Sequence, residues 1–333
     1  MLRSMYSGIS GMKVNQTKLD VIGNNIANVS TTAFKSSRAE FKDMLYQNTG
    51  FASSPTTTKG GTNAKQVGLG AQLSSINKMM GQGNAMSTGR SLDVCVDGDG
   101  YIIVAAGPIN GKITVNTDYS INIDGGDMTS TLFTRDGNLT LDKDGNLLTA
   151  DGYRVMGYAI DGTTIEYQGT PPAPTITDAA DAEGATAVEG KLIPLVIPDK
   201  VTVGGKEQPI RTFEIGKDGL ITAVLGSGSR VALGQIAMST FKNPEGLNSK
   251  GGNLLEVSSN SGKAIIKSQL GAAADVDNSG GFGDLIQGAL EGSNVDLTEQ
   301  FTDMIVATRA FQASSKMISN GDEVLQTITG LIR

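Results

Sequence analysis

The sequence predicts an α+β fold, in which helices at the two chain ends pair as a coiled-coil inner domain and nested, mainly antiparallel β domains occupy the middle of the chain. Two observations predict the helices: apolar residues recur every three or four positions in residues 2–26, and they do so again after residue 296. A third predicts the β domains, because Asp-Gly pairs separate short alternating runs in residues 132–158.

The N-terminal helix is predicted from one line of residues with alternating spacings of three and four. That line is Leu2, Met5, Ile9, Met12, Gln16, Leu19, Gly23 and Ile26. Such spacing keeps one face of a helix toward a partner. The same stretch contains IGNNIAN, residues 22–28, whose asparagines are poor helix formers.

The C-terminal helix is predicted to begin after Asp296 or Ser293, with Glu299 completing a capping box from Asp296. Two lines of residues follow it. The first is Leu297, Phe301, Met304, Thr308, Phe311, Ser315, Ile318, Asp322, Leu325, Thr329 and Ile332. The second is Ala310, Ser314, Met317, Gly321, Val324, Ile328 and Leu331. Two adjacent lines suggest contact with more than one neighbour, and the alternative is a helix buried in its own domain.

The middle of the chain is predicted to consist of strands joined by turns. Asp136-Gly137, Asp144-Gly145 and Asp151-Gly152 predict an antiparallel meander. Residues 169–190 are rich in Pro, Ala and Thr and predict a loop or linker, while strand-like runs return at 191–225. We therefore predict an inner helical domain (1–30 and 291–333), a middle β domain (31–159 and 231–290) and an outer β domain (160–230).

Composition argues against several classes of function. The net charge of −7 disfavours a duplex nucleic-acid binder, and the chain has no histidine, one cysteine and no tryptophan. The segment DVDNSGG, 275–281, resembles a calcium loop, but Ile286 stands where the bidentate glutamate is required. We expect no enzymatic activity, cofactor or metal. No apolar run approaches the ~20 residues of a membrane span, and the N-terminus lacks the layout of a cleaved signal peptide.

Both ends of the chain carry specific motifs. SGISGMKVNQTKLDVIGNNIANVSTTAFKSSRAEFKDML near the N-terminus and GALEGSNVDLTEQFTDMIVATRAFQASSKMISNGDEVLQTITGLI near the C-terminus resemble the terminal signatures of the bacterial flagellar rod, hook and hook-associated proteins. Interior blocks such as STGRSLDVCVDGDGYIIV and LGQIAMSTFKNPEGL agree in order. Within this family the blocks resemble hook forms most, with distal rod proteins as the alternative. A secreted β-rich adhesin is the alternative of another class, but it has no reason to carry the paired terminal signatures.

The resemblance implies a structural subunit that self-assembles head-to-tail into a curved, flexible tube, a universal joint that transmits motor torque to the filament. It implies export by the flagellar type III apparatus without a cleaved signal peptide, and a location outside the cell in the flagellar basal body and hook. The implied partners are copies of the chain itself, the distal rod protein, the hook–filament junction protein, the hook cap and the export apparatus. Neither nucleic acid nor membrane insertion is expected.

The resemblance also implies which residues mediate self-assembly, since the terminal helices form the inner tube in this family. On the N-terminal helix these are Leu2, Met5, Ile9, Met12, Leu19, Ile22, Asn24, Asn25, Ile26 and Asn28. On the C-terminal helix they are Leu297, Phe301, Met304, Phe311, Ile318, Leu325 and Ile328. We interpret the three asparagines as amides that face neighbouring subunits or the channel. Some hook proteins cross-link neighbouring subunits through a cysteine, which makes Cys95 a candidate for such a link, although a buried strand position is its default interpretation.

Overall fold

A computed structural model of the chain describes residues 2–122, 126–168, 173–177, 179–275 and 277–331. The chain forms two compact units. Unit 1 comprises Met1–Ser30, Lys35–Gly81 and Asn294–Arg333, and unit 2 comprises Thr31–Phe34 and Gln82–Ser293.

Unit 1 contains the two long helices, α1 at Leu2–Ala27 and α2 at Leu297–Leu331. Both predicted helices are therefore present at the predicted places. Asp296 is the N-cap of α2, since its Oδ1 accepts hydrogen bonds from the backbone N–H groups of Thr298 (2.8 Å) and Glu299 (3.3 Å). The four strands of unit 1 are β1 Ser37–Asp43, β2 Tyr46–Gly50, β3 Lys65–Gly68 and β4 Ala71–Lys78. Strand β1 pairs antiparallel with β4, and β2 with β3.

Unit 2 is built from short strands and two single-turn 3-10 helices, Pro244–Gly246 and Ser279–Gly281. Its first strands are β5 Ala85–Ser87, β6 Val94–Asp97, β7 Tyr101–Ala106, β8 Ile113–Val115, β9 Ile121–Asn122, β10 Ser130–Thr134, β11 Leu139–Leu141, β12 Leu147–Thr149 and β13 Arg154–Tyr158. The next are β14 Thr164–Gln168, β15 Ala173–Thr177, β16 Lys191–Pro194, β17 Lys200–Val203, β18 Lys206–Ile215, β19 Leu220–Leu225 and β20 Arg230–Ile236. The last are β21 Met238–Thr240, β22 Asn248–Gly251, β23 Leu254–Glu256, β24 Ile265–Ile266, β25 Asp284–Gln287 and β26 Ala289–Glu291.

Strand β7 lies at the centre of unit 2. It pairs antiparallel with β10 along one edge and with β13 and β21 along the other. Successive side chains of a strand point to opposite faces, and here Ile102 and Val104 join one hydrophobic core while Ile103 and Ala105 join a second. Because both faces are buried, the strand is continuously apolar rather than alternating.

The Asp-Gly prediction is confirmed at two of its three positions. Gly145 and Gly152 have positive φ values of 83° and lie in the turns between β11 and β12 and between β12 and β13. At Asp136-Gly137 the prediction is wrong, because β10 pairs with β7 and β23 instead of with β11. Gly137 instead lies beside the backbone of Val94, whose N–H donates to the Gly137 carbonyl at 3.0 Å.

The predicted strands of residues 191–225 are present as β16 to β19. The segment predicted as a linker contains strand β15 among its described residues. The predicted three-domain boundaries differ from the two units in two respects. Residues 35–81 group with the helices, and residues 160–230 group with the rest of unit 2, because β13 pairs with both β16 and β20. A three-layer division of the assembled protein stays a prediction.

A buried ion pair joins two distant parts of unit 2. Arg135 Nε lies 3.0 Å from Glu291 Oε2, and both side chains are almost fully buried. Arg135 also donates to the Gly98 carbonyl at 2.5 Å, and Glu291 Oε1 accepts from the Gly83 backbone N–H at 2.9 Å. The backbone carbonyl of Glu291 accepts from the Ala33 N–H at 2.8 Å. This pair therefore connects β26 to the end of β10 and to the chain entering unit 2 at residue 33.

Candidate assembly interface

The two helices of unit 1 lie antiparallel against each other, with small residues at the contact. A Cβ atom placed on Gly8 would lie 3.2 Å from Ile318 Cγ1. A Cβ atom on Gly11 would lie 3.1 Å from Ser314 Oγ, and a Cβ atom on Gly321 would lie 3.1 Å from Met5 Cγ. Farther along, Lys18 Nζ lies 3.1 Å from Asp303 Oδ1. Glycine at these positions lets the two helix backbones approach closely.

This contact differs in part from the predicted lines of apolar residues. On α1 it includes Met5 of the predicted line together with Gly8, Gly11 and Lys18, each one position before a residue of that line. On α2 it uses both predicted lines, with Ile318 from the first and Ser314 and Gly321 from the second. Apolar residues on both sides of it are exposed, with Phe301 on one side (50% exposed) and Val324 on the other (45%). On α1 the prediction followed apolar side chains, whereas Gly8 and Gly11 form the closest approach to α2.

The residues predicted to mediate self-assembly are distributed across all exposure classes. Buried ones are Ile22 and Asn25. Half-buried ones are Met5, Met12, Leu19, Ile26, Asn28, Met304, Phe311, Ile318 and Leu325. Exposed ones are Ile9, Asn24, Leu297, Phe301 and Ile328. Leu2 lies in α1, but its side chain is outside the described part of the structure, as is Ile332. Their role in self-assembly stays a prediction.

Asn25 has a structural role inside unit 1. Its side chain is 1% exposed. Its Nδ2 donates to the Ser37 carbonyl (2.8 Å) and to Gln300 Oε1 (3.0 Å), while its Oδ1 accepts from the Ser37 N–H (2.9 Å). Asn28, in contrast, donates to the carbonyl and Oδ1 of Asn24 on the surface of α1. Of the three asparagines, Asn25 thus ties α1 to α2 and to the start of β1.

A second amide fixes the other end of this region and was not found from the sequence. Asn294 Oδ1 accepts from the Ser36 N–H at 2.7 Å, and its Nδ2 donates to the carbonyls of Met79 (2.6 Å) and Gly81 (3.1 Å). Its partners are backbone groups more than 200 residues away in the chain. No local pattern around residue 294 predicts such contacts.

We expect Asn25→Ala to destabilise unit 1 by about 2 kcal/mol, because it removes a buried amide and the hydrogen bonds that it makes to the half-buried Ser37 and Gln300. The measurement is hydrogen exchange of the Ser37 amide, which should become faster, together with urea unfolding. Asn24→Ala, one position away and exposed, is the matched control and should stay within about 0.5 kcal/mol of the unchanged chain. Equal exchange rates in the two variants would contradict the assignment.

Exposed apolar side chains are concentrated in unit 1. Of the large apolar residues that are exposed in the described part of the chain, all but Met86, Val188, Ile265 and Ile286 lie in unit 1. They include Leu45 (80% exposed) directly before β2, Phe51 (83% exposed) directly after β2, and Leu331 (81% exposed) at the end of α2. Apolar surface on this scale is typical of a surface that another protein covers.

Cys95 is completely buried in β6, where it pairs with Ile286 of β25. A link to a neighbouring subunit requires an accessible thiol, so the structure does not support the cross-link predicted for Cys95. The default interpretation as a small buried side chain is confirmed.

Polar side chains of the calcium-like segment, residues 275–281, form hydrogen bonds within unit 2. In the calcium-like segment, Asp277 accepts from the Ser268 hydroxyl and from the Ser279 N–H, and these bonds hold the pKa of its carboxyl below the ordinary value. Within the described residues no cluster of His, Cys, Asp and Glu has the arrangement of a metal site.

A cavity of about 210 Å³ in unit 2 is lined partly by Tyr158, Glu189 and Gln269. Gln269 Nε2 donates to Glu189 (2.8 Å), and the Tyr158 hydroxyl donates to the Lys267 carbonyl (3.0 Å).

The terminal helices, the apolar surface of unit 1 and the β-rich unit 2 define a class of structural proteins that act through contacts with other protein chains. No helix in the described part of the chain combines the length and apolar character needed to cross a membrane. Three family models match: "Flagella basal body rod protein" over residues 5–35, "Flagellar hook protein FlgE/F/G D1 domain" over 122–223, and "Flagellar basal body rod FlgEFG protein C-terminal" over 286–331.

Full-length relatives agree with these matches. The flagellar basal-body rod protein FlgG of Bacillus subtilis is 42% identical over 333 residues, covering 100% of both chains. The flagellar hook protein FlgE of Borreliella burgdorferi is 30% identical over 461 aligned positions, covering 99% of this chain and 100% of that one. A crystal structure of Helicobacter pylori flagellar hook protein FlgE2 aligns with 62% of this chain and 100% of that chain, at a TM-score of 0.39 and 11% identity. The chain belongs to the FlgE/F/G family of flagellar rod and hook proteins, whose members are structural components of the flagellum.

Proposed function

We propose that the chain is a subunit of the flagellar axial structure that polymerises with copies of itself, and that its place is the distal rod. The single observation that carries self-assembly is the concentration of exposed apolar side chains in unit 1, on the terminal helices and the strands that follow α1. Copies that pack through one patch of a subunit against a different patch of the next form an open helical polymer.

Length supports the rod position. The alignment with the Bacillus subtilis rod protein spans 333 positions and covers both chains completely. The alignment with the Borreliella hook protein needs 461 positions for a chain of 333 residues, so that hook protein has long segments without a counterpart here.

The hook is the second candidate, and it is the place that the sequence blocks favoured. It is supported by 30% identity to a hook protein along 99% of this chain. As a hook subunit the chain would form the flexible universal joint and contact the distal rod protein, the hook–filament junction protein and the hook cap. As a rod subunit it would contact the hook protein. Either place requires export through the flagellar type III apparatus.

Electron microscopy of basal bodies from cells that lack the chain distinguishes the two places. For a distal rod subunit we expect basal bodies with a shortened rod and no hook. A complete rod that lacks only the hook would instead establish the hook position. Purified protein concentrated in solution should form tubes, straight for a rod and curved for a hook. Basal bodies with a normal rod and a normal hook would contradict both.

A further inference from the structure

A groove in unit 1 lies between α1 and the strand β4. It has a volume of about 590 Å³, and its α1 side includes Tyr6, Ile9 and Lys13, while its strand side includes Leu69 and Leu73. Tyr6 is 68% exposed, and Ile9 and Leu73 are each 38% exposed. Arg3 and Lys13 are the charged residues among its lining, which contains no acidic residue. The groove is thus apolar and open, with positive charge at its edge.

We propose that this groove binds the C-terminal end of helix α2 from a second copy of the chain. This inference rests on the proposed self-assembly and specifies which surfaces meet. Three properties of α2 support it: the spacing of its exposed apolar residues, its length relative to α1, and its charge.

The spacing is that of a helix that binds in a groove. Val324, Ile328 and Leu331 are 45%, 40% and 81% exposed. They stand at positions i, i+4 and i+7, the pattern with which amphipathic helices place their apolar face into hydrophobic grooves. These three residues form the α2 stripe.

Among the described residues of unit 1, α1 does not extend along this end of α2. Gly8 packs on Ile318 and Met5 beside Gly321, so three residues toward the start of α1 correspond to three residues toward the end of α2. On that register Leu2, where α1 begins, is opposite about residue 324. The α2 stripe therefore begins at the point where the described part of α1 ends.

The charges of the two surfaces are complementary. Between Met317 and Leu331 the charged residues are Asp322 and Glu323, with no lysine or arginine. The groove presents Arg3 and Lys13. Asp322 and Glu323 lie about 150° and 110° around α2 from the α2 stripe. Their charge, opposite to that of the groove, therefore steers the encounter of the two surfaces and does not pair across the apolar contact.

The α2 stripe cannot reach the groove of its own chain. Helix α2 of the same chain packs on the face of α1 that contains Gly8 and Gly11. The groove, in contrast, is lined by Tyr6, Ser10 and Lys13 of α1. A shift of two residues is a rotation of about 200° around an α-helix, so the two faces are opposite. The occupant must come from another copy, and a groove that accepts a different surface of the next copy gives an open-ended polymer.

Cross-linking of singly substituted chains tests this pairing. One preparation carries Ile9→Cys in the groove and the other Ile328→Cys in the α2 stripe, and Cys95 is retained because it is buried. The two are mixed, concentrated and treated with a short bis-maleimide. We expect covalent dimers from the mixture and their loss when either variant or the unchanged chain is treated alone. Ile305→Cys, 63% exposed and about 140° around α2 from Ile328, replaces Ile328→Cys in the control mixture and should give no dimer.

The outcomes separate this inference from the proposed function. Tubes that form normally in a mixture without dimers would overturn the groove pairing and leave self-assembly in place. Dimers without tubes would support the pairing and contradict the polymer. Equal dimer yields with Ile305→Cys and Ile328→Cys would overturn the pairing, because the contact would then be unspecific. A mixture that gives neither tubes nor dimers contradicts both proposals.

Discussion

Glu291→Ala is expected to lower the free energy of unfolding of unit 2 by about 3–5 kcal/mol, because it leaves the buried charge of Arg135 without its partner. The guanidinium is 5% exposed, and its Nε lies 3.0 Å from Glu291 Oε2. The substitution also removes the acceptor of the Gly83 N–H. Urea unfolding followed by circular dichroism measures the loss.

Two variants control this prediction. Glu256→Ala removes a partner from the exposed pair with Lys250, 2.9 Å apart, and should cost less than about 1 kcal/mol. The double variant Arg135→Met/Glu291→Leu replaces both charges by apolar side chains and should recover most of the loss. A loss for Glu291→Ala no larger than that for Glu256→Ala would show that water reaches the pair.

Gly137→Ala is expected to lower the free energy of unfolding of unit 2 by about 4 kcal/mol or more, a loss that only severe disruptions of a fold cause. An ideal Cβ at this position would lie 1.6 Å from the Val94 carbonyl oxygen, and the atom it meets is backbone. The segments must separate to admit it, which breaks the bond from the Val94 N–H to the Gly137 carbonyl. Unfolding in urea gives the measurement.

Gly152→Ala is the matched control, since it follows an aspartate in the same way and lies in a turn with φ of 83°. A Cβ there would meet no atom within 4 Å. Its cost is therefore only that of a left-handed conformation, about 1–2 kcal/mol. If Gly137→Ala and Gly152→Ala lowered the free energy of unfolding equally, the close approach to Val94 would not be the reason that glycine is needed at residue 137.

The three Asp-Gly pairs show how far local pattern predicts this fold. At Gly145 and Gly152 the turn is closed by strands that are adjacent in sequence, so a local motif contains all the information. At Gly137 the neighbour is Val94, more than 40 residues earlier in the chain, and no local motif specifies it. The presence of both terminal helices was predictable for the same reason, because their periodicity is local.

The candidate interface was predictable in outline and not in detail. Periodicity identified the helices and two lines of apolar residues on α2, and the resemblance identified the family. On α1 the positions of closest contact, Gly8 and Gly11, were missed because glycine has no apolar side chain to detect, whereas their neighbours Ile318 and Ser314 stand on the two predicted lines of α2. Asn25 was singled out for its residue type, but its partners, Ser37 and Gln300, become visible only when the helices and β1 are placed together.

The position of β7 has a consequence for the proposed export of the chain through the flagellar type III apparatus. One edge of this strand is completed by β13 and β21, and β21 ends at Thr240, more than 130 residues after β7 ends. A chain that emerges with its N-terminus first therefore cannot close the centre of unit 2 until about three quarters of it has passed through. Pairing between such distant segments is slow to form. On the proposed route of export, this delay keeps the trailing chain extended during transit, and unit 2 folds only after it has reached the growing tip.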